Sequence, residues 1–589
     1  MGASHCVSST RISRRPSHLS EGSCKYRSNR ERSLDLCSGS DIRSRSGPHL
    51  YLVQGLLSPV SFERQIGTMP PKRARSGKAK LHASKADLHE EAVAHDAADD
   101  DSWVESAFAS RYSSQAVPKD RFPEKAMPAN VAYQLIKDMR QLDSNPRLNL
   151  ASFVTTWMEP EAISLITESL NVNYVDMEQY PSSTDIQNRV VAILANLYHG
   201  EVKDGIGTGT ATIGSSEAIM LAGLAMKKAW VERRKKAGKP YDKPNLIMGY
   251  NVQVCWEKFT RYFDVEEKFV EMEEDCYVLT PEKAIALVDE NTIGICAILG
   301  STYTGEFEDV EGLDREVEKL NKKTGWEVPI HVDAASGGFV APFVFPHLKW
   351  DFRLKNVVSI NVSGHKYGLV YPGIGWVLWK SEKYLPEAIV FHVNYLGSDQ
   401  PTMTLNFSRG ASMIIAQYYQ FLRLGFDGYK KIMSNLLMVS RRLRLGIEET
   451  GHFKILSDDE HSLPLVAFSL KKEIVTEGGK KHPRTFNEFD IADKLKMRGW
   501  VLPAYHMAPN AKHVMLLRAV VREDLSMSMV DELIKDLHRA IEWLDHHYTF
   551  SDTEMDTLVS RMHVKKQKRI PSTPSNEEDP DNEKMNGVC

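Results

Sequence analysis

Apolar positions in the middle of the chain fall into short continuous runs separated by longer stretches with helical spacing. Leu246–Met248, Ile293–Leu299, Ile330–Asp333 and Val357–Val362 are runs of the first kind, short and containing Val and Ile. Between them lie amphipathic stretches such as Ser216–Ala237, which Gly238 and Pro240 close as helix stop signals. This alternation predicts a mostly parallel sheet with helices on both faces, an α/β architecture from Phe108 to Tyr548. A smaller C-terminal α/β domain, 391–550, contains the strand Val514–Val521 and a final helix at Met529–His546. Ahead of it stand a larger domain, 166–390, and an N-terminal segment, 108–165.

The two ends lack this pattern. Residues 1–88 carry 16 Lys+Arg against 6 Asp+Glu, with 13 serines in the first 50 positions. Such a segment buries too little apolar surface to offset its ordering entropy, so 1–107 reads as a disordered extension. Three readings stay open for it: an organelle transit peptide for plastid or mitochondrion, an extension with no address, or translation from Met69. The start lacks the Ser or Thr of a myristoylation signal at position 6, and the terminal Cys589 makes no prenylation box.

Composition narrows the class. Hydrophobic residues make up 42% and charged residues 26%, as in soluble globular proteins. A net charge of −4 over 589 residues gives no reason to expect nucleic acid as a partner. No apolar run reaches the roughly 18 residues of a membrane span. The seven cysteines show neither disulfide-scaffold density nor metal-ligand spacing, so no metal is expected and reduced thiols in the cytoplasm are the default.

Three motifs carry candidate chemistry. The run Asn361-Val-Ser-Gly-His-Lys-Tyr-Gly places His365 and Lys366 just past an apolar strand. A lysine with a costly desolvated charge offers the neutral amine that Schiff-base chemistry needs, although a surface lysine at a strand end fits equally. His331-Val-Asp-Ala-Ala delivers Asp333 at a strand's carboxyl end, where ligands bind in open parallel sheets. A carboxylate there can pair with a protonated pyridine nitrogen, or simply cap the next helix. Ile213-Gly-Ser-Ser-Glu-Ala opens the long helix with a glycine and two serines, a phosphate cradle or a plain Ser cap. Cradle, pyridinium partner and Schiff-base lysine in that order, on a β–α alternation, point together to pyridoxal 5′-phosphate.

At these residues the chain resembles glutamate decarboxylases, most closely those of plant type. The likeness covers Phe108 to Tyr548 and rests on Asn149–Trp157 (Asn-Leu-Ala-Ser-Phe-Val-Thr-Thr-Trp), Thr212–Ala218, Gln253–Phe259, Thr302–Glu306, Ser363–Gly368 and Asn406–Arg409. It implies the type I fold of pyridoxal-phosphate enzymes, with 166–390 as the cofactor-binding domain, and homo-oligomers built on dimers and reaching hexamers. It implies that Lys366 is the Schiff-base lysine and that Asp333 pairs with the ring nitrogen. Ser215, Ser216, Thr302 and His365 are implied on the phosphate side, with Ser408 reaching over from a neighbouring subunit. Gln253 and Ala335 are implied on opposite faces of the ring. For L-glutamate, the likeness places Ser152, Phe153, Asn173 and Asp176 near the distal carboxylate and Arg518 at the α-carboxylate. Ser152 stands where some bacterial members carry Thr, which keeps the hydroxyl. For Arg518 a salt bridge or surface cation on a strand stays open beside carboxylate binding.

The implied reaction releases CO₂ from glutamate and leaves 4-aminobutyrate, with Lys366 or His365 returning the proton to Cα. If Asp176 meets the distal carboxylate, two carboxylates share a site and activity falls as pH rises above the mildly acidic range. Two rivals remain: a pyridoxal-phosphate decarboxylase or carbon–carbon lyase acting on another substrate, and a non-catalytic scaffold. In the tail, 551–589, Met555, Leu558, Val559 and Met562 follow helical spacing beside Arg561, Lys565, Lys566, Lys568 and Arg569. Such a segment, 555–570, suits Ca²⁺-calmodulin, as in plant-type relatives, but it has no Trp anchor and also reads as a solvated basic tail.

Overall fold

The apolar runs form the centre of a seven-stranded sheet. In chain order the strands are β1 (Gly209–Thr212), β2 (Asn245–Gly249), β3 (Glu266–Val270), β4 (Thr292–Ile298), β5 (Ile330–Asp333), β6 (Val357–Ser363) and β7 (Gly375–Trp379). They lie side by side as β1–β7–β6–β5–β4–β2–β3. From β3 across to β6 every pairing is parallel, and β7 runs against both its neighbours. The structure is a computed structural model and describes residues 119–548, apart from 124–125, 395–399, 459 and 476–480. The extension expected at 1–107 and the tail expected from 551 lie outside those residues.

Helices cover the sheet: α1 (Pro181–Leu197), α2 (Ser215–Lys236), α3 (Val254–Tyr262), α4 (Val310–Thr324) and the long α5 (Ser412–Glu449). Every residue of β2, β4, β5, β6 and β7 is buried. Burial on both faces is why these strands read as unbroken apolar runs rather than as alternation. The exceptions carry information. Ser359, Asn361 and Ser363 occupy every second position of β6, so they share one face. On β5, His331 pairs with Ser359 and Asp333 pairs with Asn361. One face of the two central strands is therefore polar although wholly buried.

The helix expected over Ser216–Ala237 is α2, shifted by one residue, and Gly238 follows it at φ 65° as a left-handed stop. The smaller domain differs from the larger. Its strands β8 (Phe453–Ile455), β9 (Leu465–Leu470), β10 (Ala504–His506) and β11 (Met515–Val520) lie in the order β8–β9–β11–β10, antiparallel throughout. Helices α6 (Glu488–Lys496) and α7 (Met527–Tyr548) accompany them. Helix α5 packs against α1 and also against α7, joining the two parts. Among the described residues no helix is long and apolar enough to cross a membrane, and no group of His, Cys, Asp and Glu could hold a metal ion.

Candidate active site

Strand direction gathers the candidate residues. Beyond the carboxyl ends of β5 and β6 stand Ala335–Ser336 and His365–Lys366, beyond β4 stands Thr302, beyond β2 Gln253, and beyond β1 Ser215–Ser216. Because β7 is reversed, its first residue, Gly375, lies at this same end. A Cβ on Gly375 would come within 2.4 Å of the Gly214 carbonyl carbon, so only glycine lets β7 start against the serine turn.

Asp333 is 5% exposed and surrounded by donors. Its Oδ2 accepts from Trp256 Nε1 at 2.9 Å, and its Oδ1 accepts from Asn361 Nδ2 at 2.9 Å and the Ala335 amide at 3.1 Å. The Asn361 carbonyl oxygen accepts from His331 Nε2 at 2.7 Å, and His331 Nδ1 meets the Ser359 hydroxyl at 2.8 Å. With the Asn361 amide nitrogen committed to Asp333, its oxygen requires a proton on His331 Nε2, which fixes the tautomer. Burial holds His331 down to about 4, so the ring is neutral. The helix-capping alternative for Asp333 accounts for the Ala335 bond alone; Trp256 and Asn361 reach the carboxylate from another helix and another strand.

Lys366 is half-buried, not a surface lysine. Its Nζ donates to Ser336 Oγ at 3.2 Å and lies 5.3 Å from the centre of the Phe153 ring. Thr155 binds the turn from the other side, its amide to the His365 carbonyl at 3.1 Å and its hydroxyl to the Lys366 carbonyl at 2.9 Å. His365 donates from Nδ1 to the Ile374 carbonyl at 2.8 Å. Burial, with Lys366 adding to it, pushes His365 down to about 4.

Phe153 also faces Arg518, whose guanidinium carbon is 5.1 Å from the ring centre. Arg518 is 2% exposed. Its Nη1 donates to the Thr302 carbonyl at 2.7 Å, its Nη2 donates to the Ala151 carbonyl, and its Nε is buried with no hydrogen-bond partner. Among the described residues no carboxylate pairs with it, which removes the salt-bridge and surface-cation alternatives. Gln253 donates from its amide nitrogen to the Thr302 hydroxyl.

At the serine turn, Gly214 is the N-cap of α2 and no side chain caps the helix, so the plain Ser cap is not what forms. Ser215 Oγ instead lies 2.6 Å from Ser363 Oγ, and Ser216 is exposed. The helix start thus keeps its N–H groups and positive dipole end for an anion.

Three further predicted residues, Asn173, Asp176 and Ser408, lie on other segments of the chain. Asn173 and Ser408 are exposed. Asn173 Oδ1 accepts from the Arg409 amide at 3.2 Å, and Asp176 Oδ1 accepts from the Gln179 amide at 3.2 Å. Ser152 binds the Val154 amide at 3.1 Å beside Phe153. A cavity of about 540 Å³ opens at the opposite, amino-terminal end of the sheet, lined by Arg233, Lys236, Glu318 and Lys355, and has no part in this cluster.

The pyridoxal-dependent decarboxylase conserved domain matches residues 123–471. Glutamate decarboxylase 5 of Arabidopsis thaliana is 57% identical over 448 residues, covering 76% of this chain and 88% of that protein. The glutamate decarboxylase of Petunia hybrida is 53% identical over 78% of this chain and 88% of that protein. The chain belongs to the pyridoxal-dependent decarboxylases, in the glutamate decarboxylase group. Among solved structures, a Lactobacillus brevis glutamate decarboxylase matches with a TM-score of 0.70 and 44% identity, over 74% of this chain and 98% of that one. The architecture is thus the type I pyridoxal-phosphate fold expected from the sequence.

The cofactor of this family fits the residues present. An ionised carboxylate offers about four lone-pair sites. Three N–H donors occupy Asp333, which leaves room on Oδ2 for one more donor. The uncapped α2 start with Ser215 suits a phosphate, and the half-buried Lys366 amine beside Ser336 suits an aldehyde. Trp256 and Asn361, which hold Asp333, and Ser336, which accepts from Lys366, were not singled out from the sequence. The signal was there: Trp256 and Asn361 lie inside the quoted motifs, and Asn361 is an amide in an apolar strand. Arg522 was missed as well. It is 1% exposed, pairs with Asp524 at 3.2 Å and donates to the Asn149 and Ser152 carbonyls at 2.6 and 2.7 Å, fixing the loop that carries Phe153.

Proposed function

We propose that this site takes L-glutamate and releases its α-carboxylate as CO₂, leaving 4-aminobutyrate. The observation that carries the reading is Arg518, a buried guanidinium that shares the Phe153 ring with Lys366 and, among the described residues, is bonded to carbonyls and to no acid. Leaving such a charge buried without an anion is costly, and its planar fork matches a carboxylate.

When bound, pyridoxal phosphate supplies the electron sink for the pair left on Cα as CO₂ departs. The chain's own groups do the rest. Lys366 Nζ would hold the cofactor's aldehyde carbon, and Asp333 would hold the ring nitrogen's proton. Ser215, Ser216 and the α2 N–H groups would hold the phosphate, with Thr302 and His365 nearby. Gln253 and Ala335 would bound the ring's faces. Arg518 fixes the α-carboxylate and so selects the bond that breaks. For proton return to Cα, Lys366 is favoured over His365. His365 is neutral above about 4, and its Nδ1 proton is given to the Ile374 carbonyl.

Incubation with glutamate, with CO₂ and 4-aminobutyrate as the readout, tests the reading. Turnover of another amino acid in its place would favour the rival decarboxylase or lyase. Absence of a yellow colour bleached by borohydride would favour the scaffold.

The exposure of Asn173 and Ser408 supports a homo-oligomer in which a second copy completes the site together with Asp176. Mixing two inactive variants, Lys366→Ala and Asp176→Ala, and regaining activity tests this sharing. The basic segment 555–570 lies outside the described residues, and its proposed contact with Ca²⁺-calmodulin rests on charge and spacing alone. A 551–572 peptide titrated with calcium-loaded calmodulin tests it, and no binding at about micromolar concentration ends it. The buried thiol of Cys296, which forms no disulfide among the described residues, supports a reducing compartment such as the cytoplasm.

A further inference from the structure

Behind the cofactor loops lies a carboxylate that the reaction above does not use. Glu308 is 5% exposed and stands just before α4. Its Oε1 accepts from Asn251 Nδ2 at 2.9 Å and from the Leu279 amide at 3.0 Å, and its Oε2 accepts from the Ile298 amide at 2.6 Å. Its own amide donates to the Ile298 carbonyl at 3.1 Å. One side chain thus ties together three segments distant in sequence.

Two of those segments run directly into the site. Asn251 is two residues before Gln253, and Ile298, the last residue of β4, is four residues before Thr302. Gln253 and Thr302 are bonded to each other, and Thr302 accepts from Arg518. Ile298 is also the β4 partner of Asp333, and the next amide, Leu299, donates to the Asp333 carbonyl at 2.9 Å. We propose that Glu308 is a positioning residue for the cofactor: it locks the ends of β2 and β4 so that Gln253, Thr302 and Asp333 hold one fixed spacing. Burial raises the Glu308 carboxyl to about 7 while its three N–H donors pull it back. A core residue needed only for packing would be served by an apolar side chain without that opposition. The inference rests on the pyridoxal-phosphate reading and deepens it.

Glu308→Gln keeps the shape and turns one acceptor into a donor that faces an N–H. The full-length protein is stripped of cofactor, and pyridoxal phosphate is titrated back while absorbance and protein fluorescence are followed. Melting temperature is measured in parallel. Glu488→Gln is the control, a buried carboxylate that accepts from the Leu470 amide at 2.8 Å in the smaller domain. The expected result is a cofactor Kd raised by about tenfold or more in Glu308→Gln, with no such change in Glu488→Gln at a comparable loss of melting temperature. Asn251→Ala, which removes one of the three donors, is expected to shift Kd in the same direction by less. Wild-type cofactor affinity in both Glu308→Gln and Asn251→Ala would overturn the inference, and so would failure of both to fold, which marks the group as structural. Failure of the wild-type protein to bind pyridoxal phosphate at all would instead overturn the reading beneath it.

Discussion

Asn361 donates its side-chain amide to the Asp333 carboxylate at 2.9 Å, from the position directly paired with it on the neighbouring strand. The same side chain accepts from His331, so the Asp333 carboxylate is held by a buried chain, Ser359–His331–Asn361–Asp333, with Trp256 closing it. Buried networks of this kind are rigid when every member is satisfied.

Asp333→Asn keeps the shape but turns an acceptor into a donor that faces Trp256 or Asn361. The cofactor should still bind, held by Lys366 and the serine turn. Loss of CO₂ should slow by about 10²- to 10³-fold, the usual cost of removing one preorganised charged group. Stopped-flow release of 4-aminobutyrate, with cofactor content read by absorbance, checks both halves. Unchanged kcat would remove the pairing with the ring.

Arg518→Lys retains the charge and loses the fork. The guanidinium is held over Phe153 by the Thr302 and Ala151 carbonyls, and a lysine in its place cannot make the same two-point contact with a carboxylate. kcat/KM for glutamate should fall on the order of a hundredfold while cofactor content stays constant. An equal loss of cofactor would instead assign Arg518 to the cofactor.

His331 links the network to pH. Its ordinary value of 6.5 drops to about 4 in the folded chain, mainly through burial. Between those values the unfolded chain binds the extra proton and the folded one does not. Stability therefore falls as pH falls through that window and is fully present above it. Glu308, raised from 4.5 to about 7, works in the opposite direction and gains stability as pH falls from 7 toward 4.5. His331→Gln isolates the first effect. Relative to this variant, the wild-type protein should lose on the order of 3 kcal/mol between pH 7 and pH 4, read from urea midpoints. A gap independent of pH would contradict a neutral buried His331.

Much of this was legible along the chain. The apolar runs marked β2, β4, β5 and β6 because strands buried on both faces carry little else. Asp333 and Lys366 stood out because a charge at the end of such a run needs a reason. What holds them was harder to read. Trp256 reaches Asp333 across 77 residues and Arg518 reaches Ala151 across 367, and contacts at such separations leave no local periodicity. Antiparallel pairing in the smaller domain was likewise set by which strands meet. Glu308 belongs to no motif along the chain, and its three donors, Asn251, Leu279 and Ile298, meet it only in the fold.

The most direct test of the whole account is where the cofactor is attached. The holoenzyme is reduced with borohydride, digested and read by mass spectrometry. The account predicts reduced pyridoxyl phosphate on Lys366 and none after Lys366→Ala, which should also abolish turnover. The same mass on another lysine, or its absence from a protein that still decarboxylates glutamate, would contradict it.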